Sequence, residues 1–267
     1  MTVVDEIEDA LVIQWSHFGR WPHGRLYEND ELVRFETPIR HLPYNGVIRT
    51  RLGNSSSTDR RIADVLDSYR ECDVQLFWLD HPSATPRDLG VRLEGQGLQP
   101  VETMHCMSLE LDRWIPTPAP ADIAVDEVRD DAALEVYTDL TLRYWEIPDE
   151  DGQLVAEVHR YWGPVRAPGA RFLARLEGEA VGKAYVLPNR PPGVASIYGM
   201  SVVPEARGRG VARLLTETLL TRARRSGCRR VVLHSTDRAH SLYRKVGFED
   251  RCEIAVFATA QFWSDEH

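Results

Sequence analysis

The chain has 267 residues, enough for one or two domains with a core of their own. With 43% hydrophobic and 27% charged residues, its composition is that of a folded protein rather than a disordered tail, and no apolar run approaches the ~20 residues of a membrane span. Thirty-two Lys and Arg against 41 Asp and Glu leave a net charge of −9, which argues against general nucleic-acid binding.

The first ten residues, MTVVDEIEDA, are acidic where a secretory leader is basic. Residues 44–52 read as a strand, followed by the loop Gly53-Asn54-Ser55-Ser56-Ser57. Thr58 is placed to cap a helix running to about Glu71. A strand over 74–79, a helix over 86–96 stopped by Gly97 and a strand over 101–111 complete the first half. Three prolines in Pro116-Thr117-Pro118-Ala119-Pro120 predict a stiff linker over 114–121, dividing domains at 1–113 and 122–267.

Beyond it the pattern predicts a strand over 123–128 and helices over 131–144 and 150–162. A hairpin of 171–177 with 180–187 follows, turning at Gly178, and then a strand over 195–203. Val211, Leu214, Leu215, Leu219 and Leu220 mark a helix over 211–225. A buried strand over 229–234, a helix over 239–246 ending at Gly247 and a strand over 252–258 close the chain. Gly97-Leu98 and Gly247-Phe248 stand 150 residues apart, each after a helix and before a strand. The shared order of elements reads as a diverged tandem duplication. Cys72, Cys106, Cys228 and Cys252 lack CxxC spacing and fit reduced thiols in a cytoplasmic protein, with no metal site expected.

Between Glu205 and Arg230 eight arginines and two glutamates give a local charge of +6, leaving −15 elsewhere. Within this segment a strand ends, Pro204 breaks it and a helix begins after Arg207-Gly208-Arg209-Gly210. Helix N-termini expose unpaired N–H groups, glycines let the backbone close around a phosphate, and arginines add charge. Arg222, Arg224 and Arg225 are read as partners of the helix C-terminus.

Arg207-Gly208-Arg209-Gly210-Val211-Ala212 resembles the acetyl-CoA motif of the GCN5-related N-acetyltransferases (GNAT). Ser241-Leu242-Tyr243-Arg244-Lys245-Val246-Gly247-Phe248 is similar to that family's closing segment. The likeness covers about residues 121–260. Residues 1–113 resemble the degenerate first domain of tandem members, on Phe77-Trp78-Leu79-Asp80 and the pattern Leu89, Gly97-Leu98, Met107. The resemblance implies an α/β (α+β) fold of two GNAT-like domains, each a mixed, mostly antiparallel sheet flanked by helices. It implies acetyl-CoA as cofactor, with its pyrophosphate on the amides of Arg207, Gly208, Arg209, Gly210, Val211 and Ala212. The pantetheine would lie along Met200 to Val202, where a β-bulge opens the strand from its neighbour. The N–H near Met200 would polarise the acyl carbonyl. The Gly53–Ser57 loop lacks the motif, so the first half is expected to have lost cofactor binding.

The same resemblance makes Tyr243 the general acid at the leaving sulfur, chemistry that suits a phenol. A strand carboxylate found in many relatives is missing from Ala195-Ser196-Ile197-Tyr198-Gly199-Met200. The base is therefore assigned to Glu146, with His234, His240 or a water chain through Ser196 or Tyr198 as alternatives. Tyr144, Trp145 and Tyr198 are expected to line the acceptor pocket; Tyr161 and Trp162 read as core or pocket wall, and Trp15, Trp21, Tyr44 and Asn45 are candidates for the same cleft. The expected acceptor is a primary amine of a small molecule or peptide, favoured by the acidic surface when cationic. Two rivals remain: a non-catalytic acyl-CoA-binding module, and a transferase using another acyl or an aminoacyl donor, for which tRNA is not excluded. A monomer or homodimer fits equally.

Overall fold

The computed structural model describes residues 2–53, 57–163, 166, 169–189 and 192–260. The elements run α1 (Val3–Gly19), β1 (Arg25–Glu28), β2 (Leu32–Glu36), β3 (Gly46–Thr50), α2 (Thr58–Glu71), β4 (Phe77–Asp80), α3 (Leu89–Gly95) and β5 (Gln99–Glu110). Then come β6 (Ile123–Glu127), α4 (Asp131–Tyr144), α5 (Asp149–Tyr161), β7 (Ala170–Leu176), β8 (Glu179–Pro188), β9 (Val194–Val202), α6 (Val211–Arg225), β10 (Arg230–Ser235), α7 (Asp237–Val246) and β11 (Glu249–Ala258). The class is α/β, with mixed, mostly antiparallel strands flanked by helices.

The contacts divide the chain into two units. One holds Met1–Ala10, His105–Glu146 and Val155–Arg251; the other holds Leu11–Met104, Ile147–Leu154 and Cys252–His267. Packing thus runs differently from the linker-based division at 114–121. The Pro-rich stretch lies within the first unit, where Glu217 of α6 accepts from Thr117 Oγ1 at 2.6 Å and Thr117 N at 3.2 Å. Trp114 is buried beside it, with the Arg224 guanidinium 4.9 Å from its ring centroid.

In the first unit, β6 to β9 form an antiparallel meander, β9 pairs with β10 in parallel, and β10 pairs antiparallel with β5 from His105 on. Alternation along each strand gives the sheet two apolar faces. On β7, Phe172 and Ala174 pack with Val211, Leu215 and Leu219 of α6, while Leu173 packs with Leu134, Tyr137 and Leu140 of α4. The aspartate before α4, Asp130, caps the helix by accepting from Ala133 N at 2.8 Å.

In the second unit, β1, β2 and β3 run antiparallel, β3 pairs with β4 in parallel, and β4 pairs antiparallel with β11. Ile62, Leu66 and Tyr69 of α2 pack onto Val47 and Trp78. In each unit a parallel strand pair is joined through a helix, β3 and β4 by α2, β9 and β10 by α6.

Three elements lie where the sequence reading assigned none: α1, β1 and β2. Three others are shorter than predicted by two or more residues, and the strand expected over 44–52 is one of them, reduced to Gly46–Thr50. The strand expected over 74–79 starts at Phe77, because Gln75 N bonds Arg40 O (2.8 Å) and Leu76 N bonds Thr259 Oγ1 (3.0 Å) outside any ladder. The helix expected over 86–96 starts at Leu89, whose N–H closes a turn onto Pro86 O. Ser57, not Thr58, stands at the cap position of α2; Thr58 is its first helical residue, and its hydroxyl donates to Gly53 O at 2.6 Å. Residues 54–56 of the serine loop lie outside the described residues.

Candidate active site

Strand β9 pairs with β10 only from Val194 to Ile197; Leu233 is the last partner. Beyond it β9 continues to Val202, while His234 and Ser235 of β10 pair with Cys106 and His105 of β5. The two parallel strands therefore part at Tyr198. On its other edge β9 carries an irregularity: the register with β8 shifts between Tyr185↔Tyr198 and Lys183↔Ser201. Gly199 sits in this bulge with φ +61°, and a Cβ there would come within 2.9 Å of the Tyr185 ring. Only glycine fits both the backbone and the space.

After β9 the chain makes a 3₁₀ turn, Pro204–Ala206, and enters α6 through Gly208 (φ +75°) and Gly210 (φ +90°). A Cβ on Gly208 would meet nothing within 4 Å, so this glycine opens space as well as adopting a left-handed backbone. Among the described residues, the backbone N–H groups from Gly208 to Arg213 have no hydrogen-bond acceptor. This donor run at a helix N-terminus is chemically suited to a phosphate. Arg207 Nε bonds Val202 O at 3.3 Å, and Arg209 pairs with Asp122 at 3.0 Å on the surface. Val211 is buried, and Ala212 is partly so.

Tyr243, on α7, is buried against Phe248. Burial, reinforced by the nearby Tyr144 phenol, pushes its hydroxyl well above the usual tyrosine range. Trp145 meets Tyr144 edge-on with ring centroids 5.5 Å apart. Glu146 follows in an exposed turn with φ +50°. Tyr198 stacks on His234 at 5.9 Å, where β9 and β10 part, and burial raises its phenol too. Ser196 lies on the paired part of β9, fully buried and donating to Asn189 Oδ1 at 2.8 Å. His240 pairs with Asp250 (2.7 Å) and His105 with Asp237 (2.6 Å). Ligand atoms of His105, His240 and Asp250 lie within 4.8 Å of one another, a spacing a metal could use. Arg244 occupies the second Asp250 oxygen at 3.2 Å, so this polar cluster joins α7 to β5 and β11. Tyr161 meets Trp162 edge-on at 5.0 Å.

Of the aromatic residues assigned to the cleft from the first half, Trp21 and Tyr44 are buried, and Trp15 packs on Phe35 and Phe77. Asn45 is fully buried as a loop staple, accepting from Thr37 N (2.6 Å) and donating to Ile39 O (2.7 Å).

One residue beside the bulge was missed. Lys183 is buried on β8, with Nζ 3.2 Å from Gly199 O and 4.8 Å from the Tyr137 ring centroid. A signal was present: only Lys183 and Lys245 are lysines among 32 basic residues.

Residues 134–248 match the family model described as the acetyltransferase (GNAT) family. This segment is a GNAT acetyltransferase domain. It spans the open strand, the donor run and Tyr243, and its class of chemistry is acyl transfer. Solved structures extend the fold likeness to nearly the whole chain. A GCN5-related N-acetyltransferase from Kribbella flavida aligns with TM-score 0.72 at 17% identity, over 97% of this chain and 96% of its own. A tandem GNAT protein from the clavulanic acid biosynthesis pathway aligns with TM-score 0.63 at 15% identity, over 98% and 94%. A functionally unknown conserved protein from Staphylococcus epidermidis aligns with TM-score 0.62 at 15% identity, over 87% and 92%. No curated protein matches the sequence. No helix among the described residues is long and apolar enough to cross a membrane.

Proposed function

We propose that the GNAT domain transfers the acetyl group of acetyl-CoA to a primary amine of a small molecule or peptide. The observation that carries this is the parting of β9 from β10 directly before the donor run at Gly208 to Arg213. A pyrophosphate fits that run, with Arg207 and Arg209 supplying charge. The pantetheine fits the edge of β9 from Met200 to Val202, which has no β10 partner there. Acetyl-CoA supplies the activated acyl thioester.

The Met200 N–H stabilises charge developing on the acyl oxygen. Tyr243 delivers a proton to the departing sulfur; its raised pKa keeps it protonated through neutral pH. Glu146 takes the proton from the incoming amine, and Tyr144, Trp145 and Tyr198 wall the acceptor. The first half of the sequence repeats the strand and helix order but not the Arg-Gly-x-Gly motif, and on this reading it is a degenerate copy without cofactor.

The test is calorimetric titration with acetyl-CoA, followed by mass spectrometry of a candidate-amine library incubated with the protein. The double variant Arg207→Glu, Gly210→Asp loses binding while its circular dichroism spectrum stays that of the parent. Normal binding by that variant refutes the site.

A further inference from the structure

Lys183 stands out among the cations of the first unit. Among the described residues no carboxylate pairs with it, and it is 2% exposed. Its ammonium touches the face of Tyr137 and one backbone oxygen, that of Gly199. Of the 32 Lys and Arg residues only Lys183 and Lys245 can lose their proton in protein surroundings, and Lys183 is the one held at this bulge.

The peptide it holds matters. The Gly199 carbonyl and the Met200 N–H belong to one planar trans peptide, so they point in opposite directions. In a regular strand the ladder fixes that orientation. Here the register with β8 shifts across this residue pair, and the β10 ladder has already ended at Ile197. With Gly199 in the left-handed region, the peptide lacks the constraint a regular ladder imposes.

We propose that Lys183 is a positioning residue. By holding the Gly199 carbonyl on the β8 side, it aims the Met200 N–H toward the opening between β9 and β10. The inference rests on the acyltransferase reading above, in which that N–H receives the acyl oxygen. It adds a control. A charged ammonium binds the carbonyl more strongly than a neutral amine, so the aim of the N–H tightens when Lys183 is protonated. Burial, with the Arg171 guanidinium of β7 adding to it, pulls the Lys183 ammonium down to about 7. Of the titratable groups on the neighbouring elements, Tyr137 of α4 meets the ammonium through its ring, with His159 of α5 behind it at 5.8 Å, while Tyr185 of β8 meets Tyr198 of β9 at 5.8 Å. Tyr137 and Tyr198 are both held protonated by burial.

Two lysines make the test direct. In protein labelled with ¹⁵N at lysine Nζ and at methionine amides, the Lys183 ammonium titrates near neutrality. The Met200 amide shift follows it with the same midpoint, and Lys183→Met removes its pH dependence. A Met200 amide that does not sense the Lys183 titration overturns the inference, as does a Lys183 ammonium that keeps its proton well above neutrality. These readings need no turnover. In assays, Lys183→Met lowers kcat about 10- to 100-fold with KM for acetyl-CoA within about twofold, and Lys183→Arg restores part of kcat. An unchanged kcat in Lys183→Met, with wild type active, overturns the inference. Failure of wild type to bind acetyl-CoA sinks the functional reading instead, and the amide titration still decides the peptide's tether.

Discussion

Replacing Lys183 with Met keeps a stem of similar volume and removes the buried ammonium. In the folded chain that group is held at about 7, against an ordinary 10.5. Between these values the unfolded chain carries the proton and the folded chain does not, so wild-type stability rises with pH across the window. Below pH 7 both states are protonated, and the cost of burying the charge stands in full. The displacement converts to on the order of 5 kcal/mol, and wild type recovers roughly 2–3 kcal/mol of it from pH 6 to pH 9. The absolute stability gap also contains the lost bond to Gly199 O and the contact with Tyr137, each worth about 1 kcal/mol. Those terms do not produce the slope above pH 7. Urea unfolding of both proteins at pH 6 and pH 9 measures the double difference, in which other titrations common to both cancel. The Met variant should gain least at pH 9, the gap narrowing by about 2–3 kcal/mol. Parallel stability curves, within about 0.5 kcal/mol, would refute the idea that Lys183 is a buried cation of depressed pKa.

Tyr243→Phe should lower kcat about 100-fold at unchanged acetyl-CoA affinity; steady-state release of CoA thiol reads it, and retention of full kcat removes the tyrosine from the chemistry. Gly208→Ala places a Cβ in the open space of the donor run at φ +75°, and is expected to cost about 1 kcal/mol of stability and at least about tenfold in acetyl-CoA affinity, read by thermal unfolding and calorimetry. Glu6 is buried between Arg229 (2.7 Å) and Arg230, fastening the start of α1 to β10. Glu6→Ala should cost about 2 kcal/mol in urea unfolding, below the range for a fully buried pair because Arg229 keeps half its surface in water.

Much of the first unit was readable because its signals are local. Asp131–Tyr144 and Val211–Arg225 match the predicted helices residue for residue, each with a clear apolar stripe, the first behind the Asp130 cap and the second behind the left-handed Gly210. The donor run was equally visible, since Pro204, two glycines and a following apolar helix declare a strand-to-helix turn. α1 lies outside the sequence reading although Val4, Ile7, Leu11 and Phe18 carry helical spacing. The packing of the units was not legible, because strand partners are chosen over long sequence distances. Nothing local says that β10 takes β5 and β4 takes β11 as neighbours. Lys183 was missed for a related reason. Its neighbours on β8, Gly182 and Ala184, give no hint of charge chemistry, and its partner lies 16 residues on, in a bulge.

The structure also changes the meaning of the basic segment from Glu205 to Arg230. A charge of +6 in 26 residues suggests one anion-binding surface, yet its arginines have separate tasks. Arg224 binds the carbonyls of Leu111 and Trp114, Arg213 binds Thr117, Arg222 binds Ser226, and Arg229 and Arg230 hold Glu6. These bonds fix the Pro-rich stretch and α1 rather than a ligand. Arg207 and Arg209 alone flank the unpaired N–H groups of α6, and Arg209 is itself paired to Asp122 in the open. An exposed pair of this kind is worth at most about 1 kcal/mol and is screened by salt. A phosphate can therefore displace Asp122 at small cost. The affinity of the cradle then rests mainly on backbone donors, which changing an arginine side chain leaves in place. That is why Arg209→Ala should weaken acetyl-CoA binding less than about tenfold, while the paired change Arg207→Glu, Gly210→Asp, which fills the cradle with negative charge, should abolish it. Calorimetry on the two variants side by side separates charge from backbone; loss of all binding in Arg209→Ala would place the affinity in the side chain instead.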